Sequence, residues 1–180
     1  MPAPAADTLI DRVDEQDRPA GLVRRGEVFE QRANFRVVHV LLFDPSGDLL
    51  VQQVSRKRDR HPLRWGSSVA GYLHAGEAYD EAAARRTFEE LNIRPGLQRV
   101  GRTTMEDDGS TKFIGVYAAE VDRDAPSIRE PEHIADIAFL PIDRLHGQLA
   151  QEPDRFTPTF RHVLHFWETR GSPAPDDPSP

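Results

Sequence analysis

The sequence of 180 residues contains no cysteine. Without thiols it can form no disulfide and offers neither a thiolate metal ligand nor a cysteine nucleophile. It also lacks any run near the roughly 18 apolar residues of a membrane-spanning helix. The first residues, MPAPAADT, have neither the basic residues nor the apolar stretch of a secretory signal. These absences predict a cytoplasmic protein that makes no use of a membrane.

Basic residues are fewer than acidic ones, 23 against 30, and the net charge is −7. A negative average field repels phosphate polymers, so general nucleic-acid binding is disfavoured. The apolar fraction of 38% supports a core, and the length corresponds to one domain at about 150 residues each. We expect a single domain over residues 9–170. The proline-rich ends, residues 1–8 and 171–180, are predicted to be flexible.

Strand-like and helix-like segments follow one another along the chain. Val37 to Phe43 is apolar at almost every position, which predicts a strand covered on both faces. Helices are predicted at 81–91, after Pro141, and at 156–169. Strands are predicted at 9–13, 21–24, 35–43, 48–54, 67–72, 97–105, 112–121 and 134–140. Strands with helices on both flanks predict an α/β/α sandwich.

Residues 71–93 carry the chemistry of the sequence. On a helical wheel, Ala84, Phe88 and Leu91 fall on one side, opposite Arg86 and the pair formed by residues 89 and 90. That pair is two glutamates in the last helical turn, where negative charge opposes the helix dipole. A bound cation would remove the conflict, and neighbouring carboxylates with open water positions suit Mg²⁺ or Mn²⁺.

This segment resembles the signature of the Nudix hydrolases, G-x5-E-x7-R-E-U-x-E-E-x-G-U, where U is apolar. The residues that match at the correct spacing are Gly71, Glu77, Arg85, Glu89, Glu90 and Ile93. The resemblance implies a Nudix-type α/β/α sandwich with a mixed sheet, often paired as a homodimer. It also implies a pyrophosphohydrolase, in which metal-activated water cleaves the diphosphate bond of a nucleoside diphosphate linked to another group.

The same resemblance assigns roles to individual residues. Glu89 and Glu90 are expected to be catalytic and to hold Mg²⁺ or Mn²⁺ together with Gly71. Glu77 and Arg85 are expected to join the loop to the helix through an ion pair.

Arg86 stands where the family has the first glutamate of its R-E-U-x-E-E segment. We group Arg86 with the structural residues of the segment. Its permanent positive charge replaces a carboxylate and weakens cation binding. Asn92 replaces the late glycine and tolerates the same left-handed conformation.

The layout also resembles the type I isopentenyl diphosphate isomerases. Ala70 occupies the position of their catalytic cysteine, Tyr72 that of a metal-binding histidine, and Ser110 to Lys112 that of an acid-bearing strand. Without a thiol, the isomerase protonation step has no carrier. An isomerase-like protein and a diphosphate-binding module with weakened catalysis remain the alternatives.

Three other groups of polar residues are candidates for the site. Arg56, Lys57 and Arg58 form a basic loop that we assign to the substrate phosphates, although a solvated loop would have the same composition. Residues 106–108 could supply a base, but Asp-Asp-Gly is more typical of a hairpin turn. Residues 130–133, which include two glutamates and a histidine, are a further possible source of a base.

Overall fold

The structure is a computed structural model that describes residues 5–170. This part of the chain forms nine strands and three α-helices. The strands are β1 Leu9–Val13, β2 Pro19–Arg24, β3 Phe35–Phe43, β4 Leu49–Val54, β5 Trp65–Gly66, β6 Val69–Tyr72, β7 Gln98–Asp107, β8 Ser110–Glu120 and β9 Ile134–Leu140. The helices are α1 Tyr79–Leu91, α2 Ile142–Gln151 and α3 Pro158–Arg170.

The main sheet is built around β3, whose residues 37–42 are all buried. Its strand order is β5-β4-β3-β8-β7, with β6 also paired to β3 and β9 to β4. The β3–β8 pair is parallel and the other pairs are antiparallel, so the sheet is mixed. Strands β1 and β2 form a separate hairpin.

Two apolar layers cover the two faces of this sheet. On one face, α2 and α3 bury Leu145, Phe160 and Val163 against the strands. On the other face, α1 buries Ala82 and Leu91. The predicted α/β/α sandwich with a mixed sheet is therefore confirmed.

Helix α1 carries the signature segment and has defined ends. Its first turn is closed by Glu81, whose carboxylate accepts a hydrogen bond from the backbone N–H of Ala78 at 3.1 Å. At the other end, Asn92 adopts φ = 58° and its N–H donates to the carbonyl of Phe88 at 3.0 Å. Asn92 thus takes the left-handed conformation expected of the glycine that it replaces.

The apolar side of the helical wheel predicts that Ala84, Phe88 and Leu91 pack against the sheet, which holds only for Leu91. Ala84 is exposed and Phe88 is only half-buried, and the guanidinium groups of Arg94 and Arg129 lie 3.8 and 4.5 Å from the ring centroid of Phe88. Small side chains allow the helix to approach the sheet closely. The residues of α1 that are buried are Ala82, Ala83, Thr87, Glu90 and Leu91.

The ends of the chain are described only in part. Ala5–Asp7, within the segment expected to be flexible, forms a short 3₁₀ turn that packs against Gly26. Residues 1–4 and the expected flexible tail, 171–180, lie outside the described residues. Across residues 5–170, no helix is long and apolar enough to cross a membrane.

Candidate active site

A cavity of about 760 Å³ lies where α1, β3, β4, β6 and the β1–β2 hairpin meet. Its arginine, lysine and glutamate lining residues are Arg25, Arg58, Arg60, Arg85, Arg86, Lys112, Glu89, Glu90 and Glu130. Its apolar and aromatic lining residues are Ala5, Ile10, Phe35, Val37, Val54, Ala70 and Tyr72. The signature helix therefore contributes to a cavity that is lined by both charged and apolar side chains.

The guanidinium of Arg86 lies among three carboxylates of the cavity lining. It donates to Glu89 at 2.6 Å, to Glu90 at 2.5 Å and to Glu130 at 3.2 Å. Only 16% of the Arg86 side chain is exposed. Burial opposes its charge, but the attraction of the carboxylates, Glu90 foremost, outweighs burial and raises the pKa of Arg86. Arg86 is thus a permanent cation shared among three carboxylates.

The two glutamates at the end of α1 occupy different environments. Glu90 is 3% exposed and accepts a second hydrogen bond from the amide of Gln52 at 2.8 Å. Burial raises the pKa of Glu90, because it outweighs the charge of Arg86. The side chain of Glu89 is 35% exposed and also accepts from Arg85 at 3.1 Å. Glu89 is therefore the carboxylate of this pair that is more accessible from the cavity.

Gly71 is where the Arg86 side chain approaches the backbone most closely. A Cβ atom added at Gly71 would lie 2.5 Å from Nε of Arg86 and 2.7 Å from its Cγ and Cδ. Any side chain at position 71 would therefore displace Arg86. The Nε atom itself is buried and has no hydrogen-bond partner among the described residues.

Glu77 and Arg85 join the signature loop to the helix. Nε and Nη2 of Arg85 donate to the two carboxylate oxygens of Glu77 at 2.7 and 2.8 Å, and Nη2 also donates to the carbonyl of Tyr72 at 3.0 Å. The backbone N–H of His74 donates to Glu77 at 2.8 Å. Burial alone would raise the pKa of Glu77, but these donors outweigh burial and lower the pKa. The contacts are those expected of a pair that fixes the loop.

The three residues predicted to bind a metal ion do not fit one in this arrangement. The carboxylates of Glu89 and Glu90 are both directed at Arg86, whose positive charge would repel a metal cation at the same place. Within residues 5–170 there is no group of three histidine, aspartate or glutamate side chains that could hold a metal ion. Metal binding at Glu89, Glu90 and Gly71 therefore requires Arg86 to leave its present contacts.

Glu130 and His133 also reach the cavity, although they lie about forty residues beyond the signature segment. The backbone N–H of Arg129 donates to the carbonyl of Glu90 at 2.9 Å, and that of Ser55 to the carbonyl of His133 at 2.9 Å. These bonds fix the 129–133 loop between α1 and β4. The charged residues at 130–133 are candidates for a base from the sequence, and the structure brings Glu130 and His133 of this group to the cavity.

The two side chains of this loop are paired with each other. Nδ1 of His133 lies 2.7 Å from a carboxylate oxygen of Glu130. Burial of Glu130 is outweighed by the hydrogen bond from His133 and the charge of Arg86, which lower the pKa of Glu130 to about 2. In the tautomer that donates its Nδ1–H to the ionised Glu130, Nε2 is the acceptor nitrogen of the His133 ring.

The basic loop contributes only part of what the sequence predicted. Arg58 lines the cavity, whereas Arg56 and Lys57 are exposed and do not. The structure adds Lys112 to the positively charged residues that line the cavity, although no local sequence pattern indicates this position. Lys112 is 8% exposed, and burial lowers its pKa although Asp107 lies 2.6 Å away.

Asp107 is the last residue of β7 and is not part of the turn, which consists of Asp108 and Gly109 at positive φ. It accepts from Arg60 at 2.6 Å and from Lys112 at 2.6 Å. Its burial is outweighed by these donors, Arg60 first, which lower the pKa of Asp107 to about 2. Asp107 therefore holds two of the cations that line the cavity.

The aromatic side chains that line the cavity pack on each other. The ring of Phe35 stacks on that of Tyr72 at 5.2 Å between centroids, and the guanidinium of Arg25 lies 4.5 Å from the Tyr72 centroid. Phe35 is 1% exposed. Neither ring has an open face on which a nucleobase could stack.

Residues 33–160 match the family model of the NUDIX domain. An uncharacterized Nudix hydrolase of Pseudomonas aeruginosa is 35% identical over 83% of this chain and 85% of its own length. An isopentenyl-diphosphate Delta-isomerase of Streptomyces coelicolor is 32% identical over 87% of this chain and 81% of its own. A prenyl-diphosphate phosphatase of Methanosarcina mazei is 26% identical over 87% of this chain and 92% of its own length.

A solved structure has the same fold. The DR0079 protein of Deinococcus radiodurans superimposes with a TM-score of 0.74 over 87% of this chain and 98% of its own, at 23% identity. At that identity the likeness concerns the fold alone. The domain match and the relatives together show that this chain belongs to the Nudix hydrolase family.

Proposed function

We propose that this chain hydrolyses the diphosphate of a small organic diphosphate whose organic group is apolar, with prenyl diphosphates as the representative class. The observation that carries the proposal is a single cavity whose lining combines cationic side chains with apolar ones. Two relatives are named for prenyl or isopentenyl diphosphates, which agrees with this class.

The lining is suited to both parts of such a substrate. Six arginine and lysine side chains outnumber three carboxylates, so the lining has an excess of positive charge for the diphosphate. Val54 and Ala70, which line the cavity and are only half-buried, offer apolar surface to the organic group. A nucleobase would find no open aromatic face on Phe35 or Tyr72. The nucleoside diphosphate expected from the family resemblance remains a prediction that the same assay tests.

The proposed reaction is attack of water on the terminal phosphorus. A P–O bond to the water oxygen forms, the bridging P–O bond breaks, and inorganic phosphate and an organic monophosphate are released. Nε2 of His133 takes the proton of the attacking water, and Glu130 holds the ring through Nδ1. The arginine and lysine side chains stabilise the negative charge that develops on the leaving phosphate.

Nudix proteins generally depend on a divalent metal ion. The assignment of Mg²⁺ or Mn²⁺ to Glu89, Glu90 and Gly71 requires Arg86 to leave its present contacts, and no step above uses a metal. Glu89 and Glu90 are predicted to be catalytic from the sequence. In this proposal they bind the guanidinium of Arg86 and do not contact the reacting phosphorus.

A phosphate-release screen tests the proposal. It should include prenyl diphosphates and nucleoside diphosphate derivatives, each with Mg²⁺, with Mn²⁺ and with EDTA. We expect release from prenyl diphosphates, and a loss of kcat of about 100-fold or more in His133→Gln, the scale of a lost general base. His146→Gln is the matched control, because His146 forms a similar pair with Glu168 at 2.5 Å outside the cavity. Release only from nucleoside derivatives, or equal effects of both variants, would contradict the proposal.

The residues of the site do not favour isomerase activity, although a relative is named for it. Ala70 lies in the cavity wall at the position of the isomerase thiol, and the chain has no cysteine elsewhere. Formation of an isomeric prenyl diphosphate in the same screen would favour that alternative. Binding without turnover would favour the diphosphate-binding module. The cytoplasmic location and the homodimer remain predictions.

A further inference from the structure

We infer that the guanidinium of Arg86 occupies the position of a divalent metal ion in this site and supplies positive charge in its place. The chain therefore binds its organic diphosphate without metal. The ligand class rests on the proposed function. The metal-binding part does not, because it can be measured without any substrate.

The first observation is how the carboxylates are used. One guanidinium contacts Glu89 at 2.6 Å, Glu90 at 2.5 Å and Glu130 at 3.2 Å. The family resemblance assigns the metal to Glu89 and Glu90, whereas Glu130 comes from a distant loop. Since a permanent positive charge already lies between them, the attraction that would hold a second cation there is much reduced.

The second observation is that Arg86 is built into the fold. Its stem passes directly over the bare Cα of Gly71, and its Nε atom is buried. Its departure would leave the carboxylate of Glu90, 3% exposed, without a cationic partner. A metal ion that took its place would first have to displace a guanidinium that is only 16% exposed and packed on Gly71, which opposes metal binding there.

The third observation concerns the other charges of the cavity. A metal ion commonly neutralises the phosphates of a diphosphate ligand. Here Arg25, Arg58 and Lys112 also line the cavity, and Lys112 is itself buried. The chain therefore supplies its own positive charge to the ligand at the position where the phosphates would enter.

Titration with Mn²⁺, followed by electron paramagnetic resonance of the free ion, tests the metal-binding part. Wild type should bind no Mn²⁺ in the cavity. Arg86→Glu restores the family's residue and should bind Mn²⁺ at least about 100-fold more tightly, because one positive charge becomes a ligand. Arg86→Gln, which only removes the charge, should show a smaller gain and serves if Arg86→Glu does not fold. Arg99→Gln, on an exposed arginine outside this cavity, is the matched control and should behave as wild type.

Calorimetry with methylenediphosphonate, a diphosphate that is not hydrolysed, tests the ligand-binding part. Wild type should bind it equally well in EDTA and in Mn²⁺. Tight Mn²⁺ binding by wild type, no gain in a folded Arg86 variant, or diphosphonate binding that needs metal would each overturn the inference. Failure of the proposed function is distinguishable, since it would appear as absent phosphate release while the Mn²⁺ titrations still followed the pattern given above.

Discussion

Removal of the Arg86 side chain should destabilise the fold in a pH-dependent way. In Arg86→Ala, the carboxylates of Glu89, Glu90 and Glu130 lose the cation that they share. The effect on Glu90 is decisive, because this carboxylate is 3% exposed and would retain only the amide of Gln52 as a partner.

The expected magnitude follows from burial. Removing one partner of a buried ion pair typically costs about 3–5 kcal/mol, whereas exposed pairs contribute about 0–1 kcal/mol. For a domain of this size, about 1 kcal/mol corresponds to roughly 2–4 °C in Tm, so the variant should melt roughly 6–20 °C lower. Arg99→Ala is the control, since its pair with Asp80 is 62% and 63% exposed and should be worth less than about 1 kcal/mol.

The pH dependence has a defined sign. Burial raises the pKa of Glu90, and loss of Arg86 should raise it further. A carboxyl whose pKa is higher in the folded state stabilises the fold below its unfolded pKa and loses this contribution as pH rises. The difference between wild type and variant should therefore be larger at about pH 8 than at about pH 5. Denaturant unfolding at both pH values measures it. A difference under about 1 kcal/mol, or one that does not change with pH, would refute the reasoning.

Three further predictions concern neighbouring parts of the cavity. Arg58→Ala should raise KM about tenfold or more, the scale of one lost charge-assisted contact, whereas Arg56→Ala, outside the cavity, should leave steady-state kinetics unchanged. Asp107→Asn should lose about 2 kcal/mol near pH 6 but under about 1 kcal/mol near pH 2.5, because wild type loses this carboxylate's contribution progressively as pH falls from its ordinary pKa of 3.8 to about 2. Unfolding curves at both pH values measure this difference. Gly71→Ala should lower Tm by displacing Arg86, and an unchanged Tm would show that the guanidinium is free to move.

Elements that depend on nearby residues could be predicted from the sequence. Strand β9, Ile134–Leu140, has the predicted limits, because its apolar run is bounded by polar residues and a proline. The ion pair between Glu77 and Arg85 is implied by the family resemblance, because both residues match the signature. The positive φ of Asn92 follows from its place after the last helical turn.

The remaining parts of the site depend on contacts between distant segments. Glu130 lies close to Glu89 and Glu90 because a backbone hydrogen bond from Arg129 to Glu90 holds its loop against α1. Lys112 enters the cavity through its parallel register opposite Phe35, which no local pattern indicates. The packing face of α1 could not be predicted from hydrophobicity, since the close approach of the helix favours alanine and buries a glutamate.

The central claim is that this cavity binds an organic diphosphate through the chain's own cations. A crystal structure of the wild-type protein with a prenyl methylenediphosphonate tests it most directly. We expect phosphonate oxygens at Arg58 and Lys112, the prenyl group against Val54 and Ala70, and Arg86 still paired with Glu90. A ligand bound elsewhere, or held by a metal ion between Glu89 and Glu90, would contradict it.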